Sequence, residues 1–182
     1  MGNNSWGSRH SRHPKDADSA DPDVDPLEFT REIALRRLEQ RDYSRGELQD
    51  YLVRRRRADP QLAGRVLDRL EAVGLVDDAR FAAAWVDSRR RTKQLSRRAL
   101  AQELRSKAIS DDLISAVLDQ IDTDQEHETA LTACRVRASR MHGVNREVAF
   151  RRLAGALARK GYPSSTVVAV VSQVLDETVE QA

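Results

Sequence analysis

Side chains able to do covalent, acid–base or metal chemistry are few in this 182-residue sequence, and they do not converge. It holds four histidines and one cysteine. His10 and His13 stand in a polar N-terminal stretch, His127 follows Glu126 on a polar helical face, and His142 precedes Gly143, where a helix should stop. Zinc sites and Cys–His nucleophile pairs need spacings such as C-x-x-C or H-E-x-x-H, which do not occur here. Neither a Walker A loop nor a G-x-G-x-x-G turn offers backbone amides to a nucleotide phosphate. Cys134 falls on the apolar stripe Ala130, Leu131, Cys134 and Ala138 and reads as a core residue. The expectation is a protein that is not an enzyme and takes no cofactor or metal.

What the sequence does concentrate is charge. From Arg89 to Lys107 the basic residues are Arg89, Arg90, Arg91, Lys93, Arg97, Arg98, Arg105 and Lys107, with Glu103 the one acid among them. From Asp111 to Glu128 seven acids follow with no Lys or Arg. Arg54, Arg55, Arg56 and Arg57 form a second basic run, and Arg146, Arg151, Arg152, Arg159 and Lys160 a third. Solvated helix faces, with cations complementing helix C-termini, explain part of this pattern. Its recurrence predicts a basic strip facing a polyanion or an acidic protein groove.

The elements that carry these charges read as nine helices. Asp25-Pro26-Leu27-Glu28 and Ser44-Arg45-Gly46-Glu47 have the form of capping boxes. Asp59-Pro60, Asp77, Ser96, Ser110 and Asn145 open further helices, one runs from about Thr123 to Met141, and the last follows Gly161-Tyr162-Pro163. The valines of that last segment (Val167, Val170, Val171 and Val174) would also suit a strand. Internal repetition decides for helix. Leu100 to Ile109 lies over Leu153 to Tyr162 at a shift of 53, and the first unit fits the second at 52 through Leu48 and Leu52. A one-residue slip is then needed to place Val66 and Leu70. The expected architecture is all-α, three tandem three-helix repeats in an elongated, curved array, with residues 26–75, 76–122 and 123–182 as the units. Residues 1–25 carry little to bury and are expected to be disordered, with Trp6 a stray aromatic in them.

Units one and two should meet at Gly74-Leu75-Val76-Asp77-Asp78. Gly74 has the right type for the left-handed residue ending one helix, and Asp77 and Asp78 suit the start of the next. Phe81, Ala82, Trp85 and Val86 then mark an apolar face, so Gly74, Asp77, Asp78, Phe81 and Trp85 are assigned to holding the joint.

Composition narrows the class further. With 33% charged, 40% hydrophobic and 4% aromatic residues, a helical protein with much solvated surface is expected. Net charge is +2, yet residues 1–26 hold three of the Lys/Arg and five of the Asp/Glu, which leaves the remainder at +4. A single cysteine, no apolar run near the ~18 residues of a membrane span and no signal-peptide core predict a cytoplasmic protein without a membrane partner. A helix-turn-helix repressor is disfavoured. Its reading helices would be the third of each unit, but one opens with Asp111-Asp112 and another has no Lys or Arg.

Three runs, Arg41 to Leu48, Gly74 to Ala82 and Arg97 to Lys107, together with Arg159-Lys160-Gly161-Tyr162-Pro163, resemble the RecX family of bacterial recombination regulators, in an actinobacterial form. The likeness spans roughly residues 30–177. It departs at Ala108, where the second unit of the family usually carries glycine, and at Arg56-Arg57-Ala58-Asp59-Pro60. The resemblance implies an all-helical, non-enzymatic modulator that lies in the groove of a RecA–single-stranded-DNA filament and inhibits RecA ATPase, strand exchange and co-protease activity. On that reading the chain is a monomer whose partners are the RecA filament and, through it, single-stranded DNA. Contacts would come first from Arg89, Arg90, Arg91, Lys93, Arg97, Arg98, Arg105 and Lys107, and second from Arg54 to Arg57. Two alternatives remain: an independent nucleic-acid-binding helical repeat, and a protein scaffold whose charges only solvate it.

Overall fold

A computed structural model of the chain describes residues 25–141 and 143–180. The expectations for residues 1–24, Trp6, His10, His13 and His142 fall outside the described residues. Among those described, nine helices and no strand are present. They are α1 (Pro26–Leu38), α2 (Arg45–Asp50, extended by a π turn over Tyr51–Arg55), α3 (Pro60–Ala72), α4 (Asp78–Lys93), α5 (Arg97–Ser106), α6 (Asp111–Leu118), α7 (Thr123–Ala138), α8 (Arg146–Arg159) and α9 (Ser164–Glu180). None is long and apolar enough to cross a membrane.

Local chemistry starts these helices where the sequence says it should. Side-chain oxygens of Asp25, Ser44, Asp59, Asp77, Ser96, Ser110, Asp122 and Asn145 each accept from a backbone N–H two or three residues on. Each such cap stabilises its helix by about 0.5–2 kcal/mol. The reciprocal half of the two capping boxes does not form. Glu28 pairs with Arg31, and Glu47 with Arg41 and Lys107, because cations within reach outbid a backbone amide. Helix α7 stops at Ala138, short of the expected Met141.

The helices pack in threes. Leu48, Leu52, Val66 and Leu67 centre one core, Leu100, Leu104, Ile114 and Leu118 a second, and Leu153, Leu157, Val170 and Val171 a third. Every extensive helix–helix contact lies inside α1–α3, α4–α6 or α7–α9. Val76 packs into the first core, and the apolar face of α4 begins the second, so the seam between them falls at Asp77. Cys134 is 1% exposed, and burial pushes its thiol up to about 11, which leaves it a core residue rather than a nucleophile.

The slip in the sequence repeat has a physical form. Val66 and Leu70 lie over Val117 and Ile121 at a shift of 51, so unit one carries one residue more than unit two between Leu52 and Val66. The π turn at Tyr51–Arg55 absorbs it, with Arg56 N–H donating to Tyr51 C=O at 3.1 Å. Beyond the turn the units come back into step. Arg57, Ala108 and Gly161 each follow a middle helix, and all three are left-handed, at φ 57°, 56° and 88°.

Candidate functional site: polar joints and unpaired cations

With the apolar surfaces sealed inside units, the joints between units are polar. The N-terminus of α2 abuts the C-terminal turn of α5: Ser44 Oγ donates to Lys107 C=O at 2.5 Å, and Arg45 N–H donates to Asp78 Oδ1 at 2.7 Å. Lys107 Nζ completes this joint on Glu47 at 2.7 Å. At the second joint the N-terminus of α5 abuts the C-terminal turn of α8, and Ser96 N–H donates to Lys160 C=O at 3.0 Å. There Arg97 N–H donates to Glu126 Oε1 at 2.8 Å, and Tyr162 Oη donates to Gln94 C=O at 3.0 Å. Lys160 Nζ donates to Lys93 C=O, satisfying the open C-terminus of α4 with a cation. The same scheme thus repeats: α8, α5 and α2 meet end to end, each C-terminus on the next N-terminus.

Trp85 is tied to the first joint from the unit-two side. Its ring stacks on Phe81 with centroids 5.7 Å apart, and its Nε1 donates to Glu103 Oε2 at 2.8 Å. Arg89 and Lys107 lie over the ring at 4.0 and 4.9 Å. Glu103 also accepts from Arg89 and Lys93. Burial alone would raise the Glu103 carboxyl, but the Arg89, Lys93 and Trp85 hydrogen bonds outweigh it and hold the pKa below the usual range. Glu47 is likewise lowered, by Arg41 and Lys107 against burial. Asp78 goes the other way: burial dominates the Arg45 N–H bond and raises it. Of the remaining joint residues, Gly74 adopts φ 72°, Asp77 caps α4 through Arg80 N–H at 2.9 Å, and Phe81 is buried.

The basic strip looks different in space. Glu103 is not its only opponent, because carboxylates fold back onto it from other turns and helices. Arg89 and Lys93 bind Glu103, Arg91 binds Asp87, Arg97 binds Asp119, Arg105 binds Asp111, and Lys107 binds Glu47. Arg54 pairs with Asp50. Arg90 faces Asp122, Asp124 and Glu128 across a shallow groove. Arg55, Arg57 and Arg98 are exposed and have no ion pair among the described residues. Arg56 is half-buried beside them.

Unpaired cations instead gather in unit three. Arg137, Arg140, Arg152 and Arg159 line one groove between α7 and α8, none with an ion pair among the described residues. Sequence reading singled out the α8 members but missed Arg137 and Arg140. Their signal was the run of basic residues at 135, 137 and 140, at and just past the end of a helix that otherwise has no Lys or Arg. Also missed were Ser44, Arg45, Glu47, Ser96 and Glu126 as joint partners.

Comparisons with known proteins agree with this architecture. Residues 77–118 match the RecX second three-helix domain. The chain is 46% identical over 166 residues to a Streptomyces lividans protein named regulatory protein RecX, covering 90% of this chain and 87% of that one. A Thermobifida fusca protein of the same name is 42% identical, over 80% and 78% of the two chains. The crystal structure of RecX from Lactobacillus salivarius superposes with a TM-score of 0.71 at 17% identity, covering 82% of this chain and 96% of that one, which shows a shared fold. The identity and coverage of the Streptomyces and Thermobifida relatives go further, and the chain belongs to the RecX family of regulatory proteins.

Proposed function

We propose that the chain is a stoichiometric inhibitor of the RecA recombinase, lying along the RecA–single-stranded-DNA filament and suppressing its ATPase, strand-exchange and co-protease activities. The observation that carries this reading is the modular build of a RecX-family chain: three sealed cores joined end to end by polar contacts. Hydrogen-bonded joints without a shared apolar core bend at lower cost than a continuous core, because a core repacks only in discrete arrangements. A chain of such units can follow the curvature of a helical filament over several protomers. Exposed cations on successive units, Arg55, Arg57 and Arg98, meet acidic RecA surface or exposed phosphate, and the body then obstructs the incoming duplex, the cleavable repressor or protomer addition.

The test is RecA ATPase on single-stranded DNA, titrated with the purified chain. Inhibition should saturate at a fixed ratio of chain to filament, whatever the incubation time. Equal inhibition of ATPases unrelated to RecA, or tight binding to bare DNA with no preference for the filament, would instead favour an independent nucleic-acid-binding protein.

A further inference from the structure

The α7–α8 groove has a volume of ≈ 770 Å³. Ala133 on α7 and Ala156 on α8 leave room between the helices, and Cys134, Leu153 and Leu157 close the floor. Five cations stand around it (Arg137, Arg140, Arg152, Arg159 and Lys160) with no Asp or Glu among the lining residues. Carboxylates exist nearby on α9 but are committed elsewhere, Glu177 to Arg135 and Asp176 to Arg146. Lys160 is held on Lys93 C=O, but the four arginines repel one another with no carboxylate paired to them among the described residues. Burial, and then the Arg137 charge, hold the Lys160 ammonium below the ordinary lysine value.

Such a rim calls for an anion, and the surface beneath it narrows which. Val136 is 53% exposed and Met141 half-buried at the groove. Among the described residues no aromatic ring lines it, so they supply no stacking platform of the kind that retains single-stranded bases. Aliphatic and thioether contact under guanidinium forks suits a ligand that carries carboxylates and aliphatic side chains together. We propose that the α7–α8 groove is a docking site for an acidic segment of a partner protein, with Glu or Asp on the arginine rim and an aliphatic anchor against Val136 and Met141. The site does not depend on the recombinase reading: the chain can inhibit RecA with this groove empty, and the groove can bind if RecA is not the target.

The probe is a fluorescein-labelled peptide with Leu at i, i+3, i+4 and i+7 and Glu elsewhere, followed by anisotropy on the full chain. A scrambled peptide of equal composition and an oligo-dT strand serve as comparisons. Saturable binding is expected, stronger for the patterned peptide than for the scrambled one. Arg137→Glu with Arg152→Glu should weaken it by about tenfold or more. Val136→Asp should weaken it several-fold, and Arg151→Glu, on the same helix but outside the groove, should leave it unchanged. Circular dichroism checks that each variant is folded. Absence of saturable binding overturns the proposal, as does equal loss with Arg151→Glu. Tighter binding of oligo-dT with the same arginine dependence also overturns it, making the groove a nucleic-acid site. A large gain in peptide affinity when Asp16, Asp18, Asp21 and Asp23 are changed to Ser in the full chain would overturn it too, since the chain's own acidic stretch would then be the occupant.

Discussion

Ala108 holds a left-handed backbone at φ 56°, and its Cβ faces Gly46 so closely that a Cβ on residue 46 would overlap it. At the second joint the glycine is on the other side: a Cβ on Gly161 would stand 2.6 Å from Ser96 Oγ and 2.8 Å from Ala99 Cβ. Each joint thus tolerates one Cβ at its closest approach. Gly46→Ala should destabilise the chain by roughly 1–3 kcal/mol through overpacking, less about 1 kcal/mol of gained helix propensity. Ala108→Gly should stabilise by about 1 kcal/mol, since only Gly occupies that region without penalty. The double variant should recover most of the loss. Urea melts of the four proteins measure the coupling, and strict additivity would show that the two residues do not oppose one another.

The extra residue of the first unit should be removable. Deleting exposed Arg54 converts the π turn to ordinary helix and returns Arg57 and α3 to the spacing that unit two already uses. Stability should change by less than about 1 kcal/mol, with loss of the exposed Asp50 pair a minor part. Deleting Gln102 from α5 has no such slack, and it should rotate Leu104 out of the second core and unfold that unit. Equal damage from the two deletions would mean that the π turn is itself required.

These cases show what sequence could and could not reveal. Caps and apolar stripes were legible because both are local signals, fixed within three or four residues. The slip between Leu52 and Val66 was visible as a change of shift, but periodicity cannot say whether a loop or a helix absorbs it. Joint contacts such as Ser44 to Lys107 were hidden because they link polar residues 63 apart in sequence with no period. Gly46 was the one clue, a glycine in the first turn of a helix, where backbone freedom is a handicap unless something approaches closely. The basic strip was legible as a run but its pairing was not, because Asp111 and Asp119, counted as a separate acidic run, fold back onto Arg105 and Arg97.

Acid should loosen the first joint and the Trp85 cluster together. Glu47 and Glu103 have folded pKa values below the ordinary carboxylate, so their stabilisation is complete above the unfolded value of about 4.3 and is lost as pH falls through the folded values. Asp78, raised by burial, has the opposite sign and offsets part of the loss. Melting temperature should therefore drop as pH falls below about 4.3, and Glu47→Gln should flatten that drop while lowering stability at pH 7. Parallel pH curves for parent and variant would exclude Glu47 as a source.

Trp85 is half-buried, not enclosed, so Trp85→Ala should cost less than a core aromatic, about 2 kcal/mol against the 3–5 of a fully buried ring. Trp85→Phe keeps the stack on Phe81 but removes the donor to Glu103 and should cost about 1 kcal/mol. Thermal melts rank the two. A loss for Trp85→Phe as large as for Trp85→Ala would place the energy in the Glu103 hydrogen bond and not in the ring.

Filament binding should follow unpaired charge rather than total charge. Arg55 and Arg98 are exposed and lack ion pairs among the described residues, whereas Arg91 and Arg105 sit on Asp87 and Asp111. A cation already facing a carboxylate must exchange one partner for another, so it contributes less to a new contact. Arg55→Glu with Arg98→Glu should weaken binding to RecA–single-stranded-DNA filaments markedly, and Arg91→Glu with Arg105→Glu less so, with helicity retained in both. If the contacts are to phosphate, log affinity for the parent should fall with log salt by about 0.7 per single-strand contact, and the Arg55/Arg98 variant should show a shallower slope. If they are to acidic RecA side chains, the salt effect should follow ordinary screening over about 10 Å at 0.1 M, and bare strands should bind poorly. Undiminished RecA inhibition by the Arg55/Arg98 variant would remove these arginines from the contact surface.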